Sequence, residues 1–429
     1  MPTIALINLG CSKNVVDGQK LIGAFDGAGY AVVDDPARAE FIIVNTCAFI
    51  KEATQEAIDT IVEMAAYKKT GVCRFLAVAG CFSQRYGKKA RADLPEVDAW
   101  LPVNPGPREL KRAFSIAAPA VFGRRLTESL YVNYLKIADG CSHGCGFCVI
   151  PSIRGKYRSR PVQEIIDEAR WLEEMGTREV ILVSQDTSSY GKDIGLSLTE
   201  LIEALLAATT IPWIRCMYLH PRHVDDRLLR LAAAEPRVCP YFDIPLQHCN
   251  DAILKSMGRA PDKAGTIALI ERVRALVPGA AVRTSFITGY PGETAAMFRE
   301  LLRFVEEMRF DKVGVFPYSP EEGTPAARMR PRPANATVRR RSETLMELQQ
   351  AISRELLTAK INSVVPVMID ALAAEPGVNA VGRTRLDAPE VDGTVYIEKG
   401  DCTPGDIAQV RITGAGDHDL FGEIEAEEL

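Results

Sequence analysis

Between residues 1 and 100 three short apolar runs, IALINL, FIIVN and RFLAVAG, alternate with stretches whose apolar positions recur every three to four residues. Runs of that length suit buried parallel strands, and the stretches 14–28 and 51–68 suit helices packed against them. This βα order predicts a small open α/β sheet over residues 1–118. The segments LPVNPGPREL and AAPAVFGRR, rich in Pro and Gly, mark the way out of it.

From Tyr134 the alternation resumes. YLKIADG, EVILVSQD, WIRCMYL, YFDIPLQ, VRTSFITG and KVGVFPY read as six strands, with helices expected at 162–175, 198–208, 225–234, 264–276 and 294–308. Six βα units predict a partial β/α barrel, because a closed one has eight and typically needs about 250 residues. The charged amphipathic stretch VRRRSETLMELQQAISRELLTAKI is expected to be a long helix that ends this region, 130–361. Over 363–429 the pattern shifts to short strands, VPVMIDAL, VGRTRL, TVYIEK and AQVRIT, with a hairpin turn expected at Asp392-Gly393. A small antiparallel β-barrel is the natural reading, and the fold class as a whole is α/β.

Composition narrows the class. A chain of 429 residues with 47% hydrophobic and 25% charged residues has material for about three cores of roughly 150 residues and is not a disordered chain. The opening MPTIALINLGCSKN lacks a basic n-region, and no stretch reaches the ~20 apolar residues of a membrane span. A soluble, cytoplasmic protein is expected, without membrane partners. Its eleven cysteines then argue for metal binding or chemistry and against a disulfide framework.

Two groups of cysteines stand out. Cys141-x3-Cys145-x2-Cys148 follows the first barrel strand, at the end where β/α barrels place their catalytic loops. Three thiolates within eight residues can hold a 4Fe-4S cluster and leave one iron open. S-adenosylmethionine (SAM) can bind such an iron through its amino and carboxylate groups and be cleaved reductively to a radical. A structural zinc site with His143 or another thiol as fourth ligand is the plainer alternative, although closed zinc sites usually pair their ligands and no second pair is visible. The second group is dispersed: Cys11, Cys47 and Cys81 each lie just past one of the three N-terminal strands. Strand ends of an open α/β sheet converge on one crevice, so these three suit a second 4Fe-4S cluster. Cys73, Cys216, Cys239, Cys249 and Cys402 share no pattern and read as packing residues.

LGCSKN, NTC and AGC around the dispersed cysteines, with DGCSHGCGFCVIPSIRGKYRSRP around the clustered ones, resemble the methylthiotransferase family of radical SAM enzymes across essentially the whole chain. The spelling CSHGCGF differs from the family's more familiar CNNRC type, and the ligand spacing is unaffected. The resemblance implies an N-terminal cluster domain, a radical SAM partial barrel and a C-terminal TRAM barrel. It implies that one SAM methylates sulfur at the N-terminal cluster while another yields the radical. INLGCSKN, SIRGKYRSRP, CPYFDIPLQH and DAPEVDGTVYI look like the branch acting on an aspartate β-carbon of small-subunit ribosomal protein twelve. The other branch modifies a transfer-RNA adenosine. An electron donor such as flavodoxin or ferredoxin, and possible engagement of the ribosomal subunit, belong to the same expectation.

On this basis Ser184 and Gln185, at the end of the second barrel strand beside Asp186, are expected to meet the SAM amino group. Gly289 and Glu293, in TSFITGYPGE, are expected near its adenine. The plainer reading makes Gly289 and Gly292 turn residues and Glu293 a helix-start carboxylate. Gln247 and His248 end the fourth strand, with cavity-facing and structural roles equally open. The basic run Arg154, Lys156, Arg158 and Arg160 reads as a solvated face or a steering patch. Residues 363–429 carry 14 acids against four Lys/Arg, a net of −10, while the rest of the chain is at +5. Such a barrel would repel RNA and attract a basic protein, with Asp387, Glu390, Asp392 and Glu398 expected on its surface.

Overall fold

The computed structural model describes residues 1–114, 123–374 and 376–425. The expected exit of the first domain, near residue 118, lies outside them. The chain forms two compact units: one comprises Met1–Ser129, Asp139–His143 and Cys148–Arg158, the other Leu130–Ala138, Gly144–Phe147 and Ser159–Leu429.

The first unit is built on a five-stranded parallel sheet. Its strands are β1 (Thr3–Asn8), β2 (Ala31–Val32), β3 (Phe41–Thr46), β4 (Phe75–Gly80) and β5 (Ala99–Trp100), in the order β2-β1-β3-β4-β5. Helices α1 (Ser12–Asp26), α2 (Lys51–Thr70), α3 (Cys81–Ala90) and α4 (Pro107–Phe114) complete it. The three apolar runs are the central strands, buried on both faces, as continuous rather than alternating hydrophobicity requires. One core contains Ile42, Val44, Leu76 and Val78, and another Ile4, Ile22, Phe25 and Ile43. A short helix that the sequence reading missed, α5 (Ile150–Arg154), adds Ile153 to the first of these cores.

The second unit starts with β6 (Val132–Lys136); the two-residue strands β7 (Ala138–Asp139) and β8 (Arg158–Ser159) follow. Strands β9 (Glu179–Val183), β10 (Trp213–Cys216), β11 (Tyr241–Asp243), β12 (Ala281–Thr288) and β13 (Lys312–Pro317) continue it. They alternate with α6 (Val162–Glu174), α7 (Leu198–Ala208), α8 (Asp226–Ala234), α9 (Asp251–Met257), α10 (Lys263–Leu276) and α11 (Ala295–Met308). The strands form two parallel triplets, β6-β9-β10 and β11-β12-β13, and the Leu219 N–H donates to the Asp243 carbonyl where the triplets meet. This is the expected six-unit partial barrel. Helix α12 (Asn335–Thr358) leads to β14 (Val364–Leu372), β15 (Ala380–Thr384), β16 (Val395–Lys399), β17 (Ile407–Ala415) and β18 (Leu420–Ile424), a closed barrel in the order β14-β15-β16-β18-β17.

Two expectations for this barrel need correction. Strand β18 was absent from the sequence reading, and it pairs parallel with β16 while the other neighbours are antiparallel. A ring of five strands cannot alternate direction throughout, so one parallel pair is obligatory. Asp392-Gly393 does not form a two-residue hairpin but lies within the longer connection between β15 and β16.

That connection is held by buried charge. Each of five barrel strands contributes one ionised side chain: Glu179, Arg215, Asp243, Arg283 and Lys312. Glu179 pairs with Arg215 (2.6 Å) and with Arg383 of β15 (3.0 Å), which also holds Asp370 of β14 (2.8 Å). Arg283 pairs with Asp243 (2.9 Å) and Asp392 (3.3 Å), and Lys312 with Asp387 (2.6 Å). The Tyr241 hydroxyl donates to Asp392, and Arg215 donates to the Arg385 carbonyl. Asp387 and Asp392 therefore face inward, not outward as expected, whereas Glu390 and Glu398 are exposed. Burial resists ionisation of Asp387, but Lys312 and Thr384 outweigh it and hold the carboxyl below its usual range. Lys312 is held above the usual lysine value: burial opposes this, and Asp387 overcomes it.

Removing one partner of a buried pair strands the other, at a cost of about 3–5 kcal/mol. Lys312→Met is therefore expected to lower the urea midpoint clearly, whereas Lys399→Met, which breaks the exposed pair with Glu423, leaves it unchanged. A depressed Asp387 stabilises above the ordinary carboxylate value of about 3.9, and a raised Lys312 below about 10.4. The difference between wild type and Lys312→Met is thus expected to be full between those values and to shrink as the pH falls below the lower or rises above the upper.

Candidate metal centre and cofactor site

The parallel register of β1, β3 and β4 places Asn8 opposite Asn45 and Thr46 opposite Gly80, so the chain leaves all three strands at one edge. Cys11 caps α1, Cys47 follows β3 directly, and Cys81 opens α3. Gly10 turns at φ +95°, and a Cβ there would lie 2.7 Å from Cys47 Cβ and 3.3 Å from its Sγ. Only glycine allows the first cysteine loop to lie against the second. Asn14 braces the group: its Nδ2 donates to the carbonyls of Leu9 and Thr46, both at 2.9 Å, and its Oδ1 lies 3.9 Å from Cys81 Sγ.

The three thiols form no disulfide and are in electrostatic reach of one another. Burial pushes Cys47 up to about 11, with Cys11 and Cys81 adding to the rise. Cys81 is also raised, by burial first, against the pull of Arg154. Cys11 is solvent-accessible although protein surrounds it; that crowding opposes ionisation, but Lys13 and Arg154 lower its pKa overall. Three soft sulfur donors gathered at one edge suit a positively charged iron–sulfur core.

Arg154 is not the solvated cation the sequence reading expects. Its side chain is 1% exposed, with Nη1 at 3.0 Å from Asp17 and 3.1 Å from Asp139, and Nη2 donating to Asn14 Oδ1 at 2.5 Å. Arg160 is bound to Glu168 (2.7 Å), and only Lys156 and Arg158 of the run are exposed.

The eight-residue motif carries Cys141 and Cys148 in the first unit and Cys145 in the second. Within the first unit the N–H groups of His143 and Ile150 point at Cys141 Sγ and Cys148 Sγ, each at 3.4 Å. Within the second, Gly146 donates to the Met257 carbonyl and accepts from the Ala326 N–H, both at 2.9 Å. Arg259 Nη1 lies 3.9 Å from Cys145 Sγ. None of the three thiols forms a disulfide. Backbone donors and a guanidinium directed at the sulfurs suit ligands of an anionic cluster.

At the end of β9, Ser184 Oγ and Gln185 Oε1 are buried with no hydrogen-bond partner. An orphaned buried acceptor costs about 1–3 kcal/mol, so these oxygens suit the donors of a bound ammonium group. Asp186, between them and the next helix, is engaged by the hydroxyls of Ser188 and Ser189 (2.6 Å each) and lies 3.1 Å from His223 Nδ1. Glu293 is a buried hub: one oxygen accepts from the Gly289 N–H and from Arg341, both at 2.6 Å, and the other lies 3.5 Å from His248 Nε2. Gly289 has φ +77°, and a Cβ would meet Val338 of α12 at 2.4 Å. Gln247 also has positive φ, +73°, a strain that non-glycine residues bear mostly at functional sites.

Sequence reasoning passed over Asn14 and Arg259 and misread Arg154. The Asn of LGCSKN was in view, but nothing local says where its amide points. Cys73, Cys216, Cys239 and Cys249 are buried, as expected of packing residues, and burial pushes Cys216 and Cys249 up to about 12.

Comparison with known proteins agrees with this layout. The profile of the Radical SAM superfamily matches residues 135–305, that of the Uncharacterized protein family UPF0004 residues 3–102, and that of the TRAM domain residues 361–424. A protein of Syntrophus aciditrophicus (strain SB), named ribosomal protein uS12 methylthiotransferase RimO, is 41% identical over 444 residues, covering 98% of each chain. Its namesake in Geotalea uraniireducens (strain Rf4) is 42% identical over 441 residues, again covering 98% of each. The radical S-adenosylmethionine methyltransferase TsrM of Kitasatospora setae shares the fold at 15% identity, with a TM-score of 0.54 over 76% of this chain and 77% of its own.

Ser184→Ala removes a stranded acceptor. It is expected to leave the urea midpoint of the cofactor-free protein unchanged or raised. It is also expected to weaken SAM binding by about 10- to 100-fold, the loss of one hydrogen bond to a charged group, measured by equilibrium dialysis.

Proposed function

The chain belongs to the ribosomal protein uS12 methylthiotransferase RimO family, and on that premise we propose that it adds a methylthio group to an aspartate β-carbon of small-subunit ribosomal protein twelve. The observation that carries the reading is the convergence of Cys11, Cys47 and Cys81 at one sheet edge, in a chain that also bears the Cys141-Cys145-Cys148 motif. When bound, two 4Fe-4S clusters and SAM supply the sulfur, methyl and radical chemistry.

The chain's own groups hold and orient these partners. Cys11, Cys47 and Cys81 would hold one cluster, and Cys141, Cys145 and Cys148 the other. Ser184 and Gln185 accept from the SAM amino group. Gly289 and Glu293 would lie near its adenine: the Glu293 carboxylate fixes the 289–293 turn against Arg341, and its second oxygen is left without a hydrogen bond.

The substrate assignment also draws on charge. Asp387, Asp392 and Asp417 of the C-terminal barrel are paired with Lys312, Arg283 and Arg354, cations from outside residues 363–429. The outward field is therefore weaker than −10 suggests. Glu390, Glu398, Asp401 and Asp406 are exposed, while the exposed Lys399 and Arg411 are paired within the barrel. Such a face suits a basic ribosomal protein, free or on its subunit, better than a transfer RNA. No described helix is long and apolar enough to cross a membrane. A cytoplasmic enzyme reduced by flavodoxin or ferredoxin completes the proposal.

The reconstituted protein is expected to hold about eight irons, four per cluster. Cys141/Cys145/Cys148→Ala is expected to lose half of them and all 5′-deoxyadenosine formation. Cys11/Cys47/Cys81→Ala should retain SAM cleavage but form no methylthio product; normal product from it would refute the sulfur-delivery role. In a strain lacking the gene, mass spectrometry of ribosomal protein twelve is expected to show loss of a methylthio mass from one aspartate. Loss from a transfer-RNA adenosine instead would give the RNA reading its place.

A further inference from the structure

Arg154 stands at the end of α5, six residues after Cys148, and its guanidinium spans three pieces of the first unit. It meets Asp139, two residues before Cys141, so it ties together the two ends of the loop that carries Cys141 and Cys148. It meets Asp17 and Asn14 on α1, so it fastens that loop to the helix capped by Cys11. It also reaches towards the sulfur ligands: its Nη2 donates to Asn14 Oδ1, which lies 3.9 Å from Cys81 Sγ. Burying a guanidinium costs several kcal/mol unless its charge is answered. Here the answer comes from the carboxylates of Asp17 and Asp139.

Reducing an iron–sulfur cluster adds one negative charge, and its potential follows the net charge and hydrogen bonding around the sulfurs. A fixed cation at this distance favours the reduced form, and a fixed carboxylate opposes it. We propose that Arg154 is a positioning residue that raises the reduction potential of the cluster held by Cys11, Cys47 and Cys81. Because it rides on the loop bearing Cys141 and Cys148, this setting depends on that loop being seated. The proposal rests on the cluster assignment above.

The test uses the full-length reconstituted chain with Cys141, Cys145 and Cys148 replaced by Ala, so that one cluster is titrated. Arg154→Gln is expected to shift its midpoint potential downward, and Arg154→Lys, which keeps the charge, to bring it back towards the reference. Asp17→Asn removes an anion from the same site and is expected to shift the potential upward. Opposite shifts from neighbouring substitutions separate charge from structural damage, which has no reason to change sign. If Arg154→Gln takes up no iron, Asp17→Asn decides. An unmoved or lowered potential in Asp17→Asn, or an unmoved one in iron-loaded Arg154→Gln, overturns the proposal. A reference protein without iron overturns the cluster assignment, and this inference with it.

Discussion

Thiols 36 and 34 residues apart in the chain meet because parallel strands end on a common line. Cys11, Cys47 and Cys81 owe their proximity to the hydrogen-bond register of β1, β3 and β4, and little else would bring them together. Once the strands are paired, the remaining features follow from crowding. Gly10 and Gly80 take backbone angles that keep Cβ atoms out of the way, since a side chain at Gly80 would lie 2.6 Å from the Thr46 carbonyl and from Asn45 Oδ1. Asn45 in turn donates to Asn8 and to the Asn14 carbonyl, filling the polar gap between neighbouring strand ends. A one-residue slip in either pairing would turn these side chains to the opposite face of the sheet and scatter the thiols.

The second unit solves a different problem with the same physics. Its barrel strands carry charges where an α/β barrel normally stacks aliphatic side chains, and every one of them is answered. Glu179 is held ionised by two guanidiniums against the cost of complete burial. Arg215 also lies over the Tyr241 ring at 4.9 Å. Such networks are costly to break and contribute little net stability when whole. Their yield is geometry, because ion pairs and hydrogen bonds have preferred directions where oily contacts do not.

How much of this was legible in the sequence depended on whether the signal was local. Helix α7 came out at its true bounds because Ser197 and Glu200 form a reciprocal cap, Ser197 Oγ receiving the Glu200 N–H and donating to its carboxylate. The strand-end placement of Cys11, Cys47 and Cys81 was legible because it needs only the strand pattern to be located. Short α9 was missed although Asn250 caps its start and Gly258, in the left-handed region, closes its end; seven residues show too little periodicity. Arg154, Asp387 and Asp392 were misread as surface charges for a deeper reason. Whether a charged side chain faces water is decided by a partner distant in sequence: Asp17 for Arg154, Lys312 for Asp387, Arg283 for Asp392.

The ionic contacts of the C-terminal barrel bear on how such chains can be rearranged in evolution. A small closed barrel at the end of a polypeptide looks like a unit to be exchanged by recombination. Here Arg383, Asp387 and Asp392 are the counter-charges of Glu179, Lys312 and Arg283. A graft from a distant relative would bury unmatched ions on both sides of the join. The two segments are therefore expected to be inherited together, with a change at one member of a pair matched by a change at its mate.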